Sequence, residues 1–305
     1  MRIVYAGSPA FSVPALARLL ESGAEIVAVV TQPDAEVGRK RVLTPTPVKS
    51  FALERGLKVL DFIKIREHEK ELKELNADIM ITCAYGQILT RGVLDCFKGG
   101  VWNLHASLLP KYRGASPIQS AILGGESHTG ITVMKTELEL DSGAILLVKR
   151  CEIGEDTCGE LTERLSLLAA DAAVEGVELL KRGQTQLLMQ DEARVTFCKK
   201  VQKSDAKIDF NLPAERVKRA VKAFSPQPAA FCNWCGNILN ILDCETSEFS
   251  GNAGEIIYCD RAHGIVVACG EGAIKITKLQ PAGGKVLSAA DFINGRKLKA
   301  GDRLD

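Results

Sequence analysis

At 305 residues, with 46% apolar and 25% charged side chains, the chain is long enough for one large or two ordinary cores and has the balance of a soluble globular protein. A formal net charge of +1 supplies no global attraction to polyanions, so any nucleic-acid contact must come from a local basic patch. Ten cysteines in a chain of this size, which opens directly into a strand, predict free thiols in a reducing cytoplasm, and no apolar run approaches the ~20 residues of a membrane span.

Residues 2–6 read as a short buried strand closed by Gly7-Ser8-Pro9. Residues 13–21 carry apolar side chains at helical spacing and stop near Gly23, and residues 25–30 form a β-branched second strand. This opening predicts an α/β fold with a doubly wound, mostly parallel, Rossmann-like sheet. Only Gly7 stands where a dinucleotide fingerprint needs three glycines, which argues against a pyrophosphate held at the first turn. Residues 31–49 show no periodicity, contain three prolines and carry the basic run Arg39-Lys40-Arg41. Such a loop is either solvated surface or a finger that touches phosphates.

Helices are expected at 48–55 and 66–75, with strands at 58–60 and 79–83, the latter leading into a turn at 84–89. A strand at 100–104, a helix at 117–123, strands at 131–135 and 144–152, and a long helix at 157–182 complete a first domain, 1–183. His128, beside a turn, is expected to be exposed and without a role. Residues 184–205 read as a polar linker with basic residues at Arg194, Lys199, Lys200 and Lys203. In 206–305 a helix at 213–224 precedes short strands at 238–242, 254–258, 264–268 and 273–279, the spacing of a small β-barrel. Cys232-Asn233-Trp234-Cys235 lacks a second ligand pair for zinc and a helix start for redox work, so it reads as ordinary thiols.

Chemistry concentrates after the strand at 100–104, in Asn103-Leu104-His105-Ala106-Ser107-Leu108-Leu109-Pro110. Residues two apart on a strand share a side, so Asn103 and His105 project together from its carboxyl end, where open α/β sheets bind ligands. An amide donor beside an imidazole suits attack by an amine on a carbonyl: one group takes a proton and the other hydrogen-bonds the developing oxyanion. Asn-x-His also occurs in ordinary hydrogen-bonded structure. The catalytic reading gains from Leu138-Glu139-Leu140-Asp141-Ser142-Gly143, a carboxylate on a turn between two apolar runs, from which Asp141 could fix the imidazole's orientation and tautomer.

These two blocks, with Tyr112-Arg113-Gly114 and the opening Gly7-Ser8-Pro9-Ala10-Phe11, resemble the folate-dependent formyltransferases over nearly the whole chain, and within them the branch that formylates methionyl-tRNA. The resemblance implies formyl transfer from 10-formyltetrahydrofolate, without a metal, to the α-amine of charged initiator tRNA. It makes Asn103 the oxyanion donor and His105 either the proton acceptor or an imidazolium that stabilises the oxyanion; Asp141 orients His105 or positions a water. It implies a folate pocket at Tyr85, Gly86, Gln87 and Ile88 and at Ser107, Leu108, Leu109 and Pro110. It also implies tRNA contact through Arg39, Lys40 and Arg41, through Lys199, Lys200 and Lys203, and through an OB-like C-terminal barrel. A monomer suffices for this reaction. The chain departs from the resembling pattern at Glu139, where glycine is usual, and at Ala229 and Phe231, where glycine and tryptophan are usual.

Three rivals remain. A formyltransferase for nucleotide-linked amino sugars shares Asn103, His105 and Asp141, but the basic run and Gly114-Ala115-Ser116-Pro117 favour the tRNA enzyme. A purine-pathway formyltransferase leaves the barrel unexplained. A non-catalytic folate or tRNA binder needs none of the three polar residues.

Overall fold

The computed structural model describes residues 1–38, 40–295 and 298–305. Among these the chain divides into two compact units: residues 1–117, 128–152 and 162–198, and residues 118–127, 153–161 and 199–305.

In the first unit the strands are β1 (Arg2–Gly7), β2 (Glu25–Val30), β3 (Ala35–Val37), β4 (Val42–Thr44), β5 (Val59–Leu60), β6 (Ile79–Cys83), β7 (Val101–His105), β8 (Arg113–Gly114), β9 (His128–Lys135), β10 (Ile145–Glu152) and β11 (Phe197–Cys198). Seven of them form a sheet in the order β10-β9-β7-β6-β1-β2-β5. The five from β7 to β5 run parallel, and β9 and β10 are antiparallel. Ile3–Ala6 of β1 and all of β6 are buried, as expected of central parallel strands covered on both faces. Helix Val13–Glu21 buries Ala15, Leu16 and Leu19, the apolar stripe visible in its sequence. The chain winds outward from β1 through β2 and β5, then returns to β6 beside β1. The carboxyl ends of β1 and β6 therefore flank the switch point at which such sheets bind ligands.

The stretch read as an irregular loop instead contains a short hairpin, β3 with β4, whose residues are all exposed. Strands of three residues with neither face buried leave no apolar alternation to detect. The hairpin is tied at its root. Thr31 and Thr46 hydroxyls lie 2.6 Å apart, and Lys49 Nζ donates to Asp34 Oδ1 (2.6 Å) and Asp61 Oδ2 (2.7 Å). The hydrogen bonds to Asp34 and Asp61 push the Lys49 ammonium above its ordinary value of 10.5, and the bond from Lys49 holds the Asp61 carboxyl below 3.8. Since these groups are partly exposed, Lys49→Met should cost on the order of 1 kcal/mol, or ~2–4 °C in Tm. The depressed Asp61 contributes above 3.8 and loses its contribution as pH falls through its folded value. The raised Lys49 contributes below 10.5 and loses it as pH rises past its own. The Tm gap between wild type and Lys49→Met should thus hold between about pH 5 and 9 and close in acid. A gap unchanged at pH 3 would contradict this clamp.

Residues 184–198 do more than connect. Ile145 and Leu188 exchange backbone hydrogen bonds of 2.8 and 2.9 Å, and β11 pairs with β8. The expected helix at 66–75 is a 3-10 turn, Ile65–Glu67, followed by the short helix Glu69–Glu74; this charged stretch buries Ile65, Leu72 and Leu75.

In the second unit, helix Ala214–Phe224 buries Val217, Val221 and Phe224 against β12 (Ala230–Trp234), β13 (Asn237–Ser247), β14 (Ile256–Asp260), β15 (Gly264–Ala268), β16 (Ala273–Pro281) and β17 (Leu287–Ser288). The order is β12-β13-β16-β15-β14, antiparallel throughout, with β17 on β16. The sequence reading missed β12 and the second half of β13. Polar residues such as the half-buried Asn233 and Asp243 and the exposed Glu245 interrupt the apolar runs that mark a strand in sequence. Ala229, in place of the usual glycine, sits at φ +72°, a left-handed conformation that costs a side chain about 1–2 kcal/mol. Cys232 is buried on β12 and its thiol is pushed up to about 12 by burial, the reverse of a reactive thiolate; Cys235 is exposed. No helix among the described residues is long and apolar enough to cross a membrane.

Candidate active site

β7 lies between β6 and β9, with Asn103 opposite Thr82 and Met134, and His105 opposite Thr132. Asn103 and His105 leave the same face of the strand. Asn103 Oδ1 accepts a hydrogen bond from Thr82 Oγ1 at 2.9 Å. That contact orients the amide so that its NH2 is left to donate elsewhere.

His105 is 5% exposed, and its Nε2 lies 2.9 Å from the Tyr112 carbonyl oxygen. A carbonyl only accepts, so Nε2 carries the proton, and in the neutral ring Nδ1 presents a bare lone pair. Asp141 Oδ2 stands 3.7 Å from that Nδ1, too far for a hydrogen bond but close enough for an ion pair once Nδ1 is protonated. The carboxylate is itself anchored, Oδ2 accepting from the Gly114 N–H at 2.8 Å. The imidazole is flanked by two non-glycine residues in the left-handed region, Tyr112 (φ +63°) and Asp141 (φ +48°). Backbone strain of ~1–3 kcal/mol per residue persists where the surroundings enforce it, and it clusters at functional sites.

The segment after β7 is locked from β9. Thr132 Oγ1, fully buried, donates to the Ser107 carbonyl (2.6 Å) and accepts from Leu109 N–H (3.2 Å), while Ser107 Oγ donates to the Lys111 carbonyl (2.6 Å). A side chain at Gly130 would meet Lys149 O at 2.0 Å and Leu108 Cδ2 at 2.8 Å, so β9 needs glycine there to approach both. Thr82, Thr132 and Gly130 were not singled out from sequence, because one threonine or glycine in a strand carries no spacing signal.

At the carboxyl end of β6, the four residues named for the folate pocket differ in availability. The Tyr85 side chain is buried in the core, and its carbonyl accepts from Gln32 Nε2 (3.1 Å) and Ser8 Oγ (3.4 Å). The Gln87 amide is spent on Ile65 N–H (2.8 Å) and the Phe62 carbonyl (2.8 Å). Gly86, at φ +83°, and Ile88, an apolar side chain 87% exposed, are the two of the four that face outward without such duties. Of the basic residues, Arg39 lies outside the described residues. Lys40 and Arg41 are exposed, Arg41 pairing with Glu36, and Lys199, Lys200 and Lys203 are exposed in the second unit. Glu139 is exposed, its carbonyl accepting from Ser142 Oγ. Among the described residues no group of three or more His, Cys, Asp or Glu side chains is placed to hold a metal ion.

Residues 1–177 match the formyl transferase family, and residues 200–297 match the formyl transferase C-terminal domain. The chain is 42% identical over 309 residues to the methionyl-tRNA formyltransferase of Neisseria gonorrhoeae, covering 100% of both chains. It is 43% identical over 300 residues to that of Stutzerimonas stutzeri, covering 97% of this chain and 95% of the other. Among solved structures, the N-formyltransferase from Helicobacter canadensis in complex with folinic acid and dTDP-3-aminofucose superposes with a TM-score of 0.69 at 18% identity, over 90% of this chain and 98% of that one, a likeness of fold. Matched over its full length at this level of identity, the chain belongs to the formyl transferase family and, within it, to the methionyl-tRNA formyltransferases.

Proposed function

We propose that this protein transfers the formyl group of 10-formyltetrahydrofolate to the α-amino group of methionyl-tRNA, giving N-formylmethionyl-tRNA for translation initiation. The observation that carries the chemistry is the His105 ring held through Nε2 on the Tyr112 carbonyl with Nδ1 toward an anchored carboxylate, next to an oriented Asn103 amide whose NH2 has no partner among the described residues. An aminoacyl-ester amine has a pKa near or below the ~7.7–8.0 of an ordinary α-amine, so a neutral nucleophile is available. As the amine attacks the formyl carbon, negative charge gathers on the carbonyl oxygen, to which Asn103 Nδ2 donates. His105 takes a proton from the nitrogen at Nδ1. The imidazolium so formed is stabilised by Asp141 on one side and keeps its Nε2–H on the Tyr112 carbonyl on the other. As the oxyanion collapses to the new amide carbonyl, the bond from the formyl carbon to the folate N10 breaks, and N10 takes the proton held by the imidazolium, so tetrahydrofolate leaves and His105 returns to its neutral form.

The chain's residues fit the folate co-substrate. Outward-facing Ile88 and the side-chain-free Gly86 at the switch point, with the partly exposed Leu108 and Pro110 beyond β7, offer an apolar surface and backbone polar groups to a flat heterocycle. Tyr85 and Gln87 support that turn from behind, and Ser107 and Leu109 hold the second wall. We assign catalysis to the unit that runs to residue 198, with residues 184–198 folded into it, and tRNA contact to the basic residues 199–205 and an OB-like module at 206–305, acting as a monomer in the cytoplasm. All three polar groups come from one chain, so no second copy is needed.

The amino-sugar reading rests on an 18% likeness of fold, against 42% identity over the whole length to the tRNA enzymes. Incubation with charged initiator tRNA and the formyl donor should yield formyl-methionine on the tRNA. Equal turnover of free methionine, or faster turnover of a nucleotide-linked amino sugar, would overturn the assignment. Binding should also be salt-dependent, since Lys and Arg displace counterions from phosphates. Replacing Arg39, Lys40 and Arg41 together by alanine should reduce the log–log salt slope by roughly 0.7–0.9 per lost contact, with folate affinity unchanged. A wild-type slope in this variant would remove the hairpin from the tRNA interface.

A further inference from the structure

Gln190 sits in the stretch 184–198, where the sequence suggested only a polar connection. It is 8% exposed. Its Nε2 donates to two carbonyls, those of Asp141 and Gly143, each at 2.8 Å, and its Oε1 accepts from Arg113 Nε at 3.0 Å. A guanidinium can only donate and a carbonyl can only accept, so the amide's orientation is fixed by its partners. Arg113 is 1% exposed and reaches Glu192 through Nη2 (2.7 Å) and Nη1 (3.4 Å). The next residue, Gly114, gives its N–H to Asp141 Oδ2.

The Asp141 turn is thus gripped from two directions by one assembly. Two of its carbonyls are drawn to Gln190, its carboxylate is drawn to Gly114, and Gln190 is set by the arginine adjoining that glycine. The turn has need of such a grip. Asp141 holds φ +48°, and past Met134 opposite Ile145 the two strands are tied by one further backbone bond, Lys135 N–H to the Ala144 carbonyl at 2.9 Å, so the turn around Asp141 lies beyond the β9–β10 register. Only an amide supplies what this position requires, two N–H donors toward the turn and one oxygen toward Arg113. Glutamate would keep the oxygen and set a carboxylate against two carbonyls; methionine would supply neither.

We propose that Gln190 is a positioning residue for formyl transfer, holding Asp141 at the distance from His105 Nδ1 that lets it stabilise the imidazolium. This rests on the role given to Asp141 above. The test uses the full chain and compares Gln190→Glu, Gln190→Met, Asp141→Ala and the double variant Gln190→Glu with Asp141→Ala. Gln190→Glu should lower kcat roughly 10- to 100-fold, the scale of an ångström-sized misplacement. KM for charged tRNA and for the folate donor should stay within about two- to threefold, because both donors and the oxygen of the amide are engaged within the protein. The kcat–pH profile of Gln190→Glu should coincide with that of Asp141→Ala, and the double variant should be no slower than Asp141→Ala. A merely structural glutamine would lower Tm without moving that profile.

Wild-type kcat in folded Gln190→Glu and Gln190→Met, with Asp141→Ala impaired, overturns the proposal and leaves the reading of Asp141 standing. So does a loss that multiplies in the double variant. Wild-type kcat in Asp141→Ala overturns that reading and the proposal with it. Failure of both Gln190 variants to fold would make the residue purely structural, which also overturns it.

Discussion

Replacing His105 by alanine should lower kcat by roughly 10²–10⁴-fold, the contribution of a positioned general base, while affinity for charged tRNA and for the folate donor is retained. The expectation follows from the tautomer. Because Nε2 is committed to the Tyr112 carbonyl, the only position at which the ring can take a proton is Nδ1, and that nitrogen faces Asp141. Removing the ring takes away the proton acceptor and leaves the Tyr112 carbonyl without this donor. Some loss of stability is therefore expected, on the order of 1–2 kcal/mol, and thermal unfolding should be followed beside the kinetics. Exogenous imidazole, small enough for the vacated space, should restore part of the rate. A variant that folds and turns over at the wild-type rate would show that a substrate amine disposes of its own proton, and His105 would then be structure alone.

Replacing Asn103 by alanine should cost roughly 10²–10³-fold in kcat, or about 3–4 kcal/mol, the loss seen when one preorganised oxyanion donor is removed. The bond from Thr82 to Asn103 Oδ1 is what makes the donor preorganised: it fixes which end of the amide points away from β6. The effect of Asn103→Ala should fall on kcat and kcat/KM alike, since the interaction strengthens only as charge develops. Its kcat–pH profile should keep the wild-type shape, because an amide does not titrate, whereas the profile of His105→Ala should not. Asn103→Asp should be at least as slow as the alanine variant, its carboxylate set against a developing negative charge. A rise in KM at unchanged kcat would instead make Asn103 an ordinary binding contact.

Much of this arrangement can be read from residue order, and the reasons for success and failure are local. Asn103 and His105 sit at a spacing of two in an apolar run, so the strand's own geometry puts them on one side. Asp141 is visible as a carboxylate on a glycine-containing turn between two runs that do pair, as β9 and β10. The parallel sheet follows from buried β-branched strands separated by amphipathic helices. Gln190 and Arg113 are different. Their importance comes from contacts 77 residues apart in the chain, and a glutamine in a polar stretch looks the same whether it is solvated or buried. The hairpin of β3 and β4 escaped because both its faces are wet, and β12 because polar residues interrupt it. Tyr85 and Gln87 illustrate a further limit: a turn can be placed correctly while the duty of each side chain, toward the core or toward a ligand, stays hidden until its hydrogen bonds are seen.

In the proposed mechanism an amide, an imidazole and a carboxylate act as one unit on a single carbonyl. Single-turnover formylation of charged initiator tRNA by His105→Ala, Asp141→Asn and the double variant measures that directly. Groups that work together are strongly non-additive, so the double variant should be no more than about two- to threefold slower than His105→Ala. Losses that multiply would contradict it, since Asp141 would then act on the reaction without passing through the imidazole.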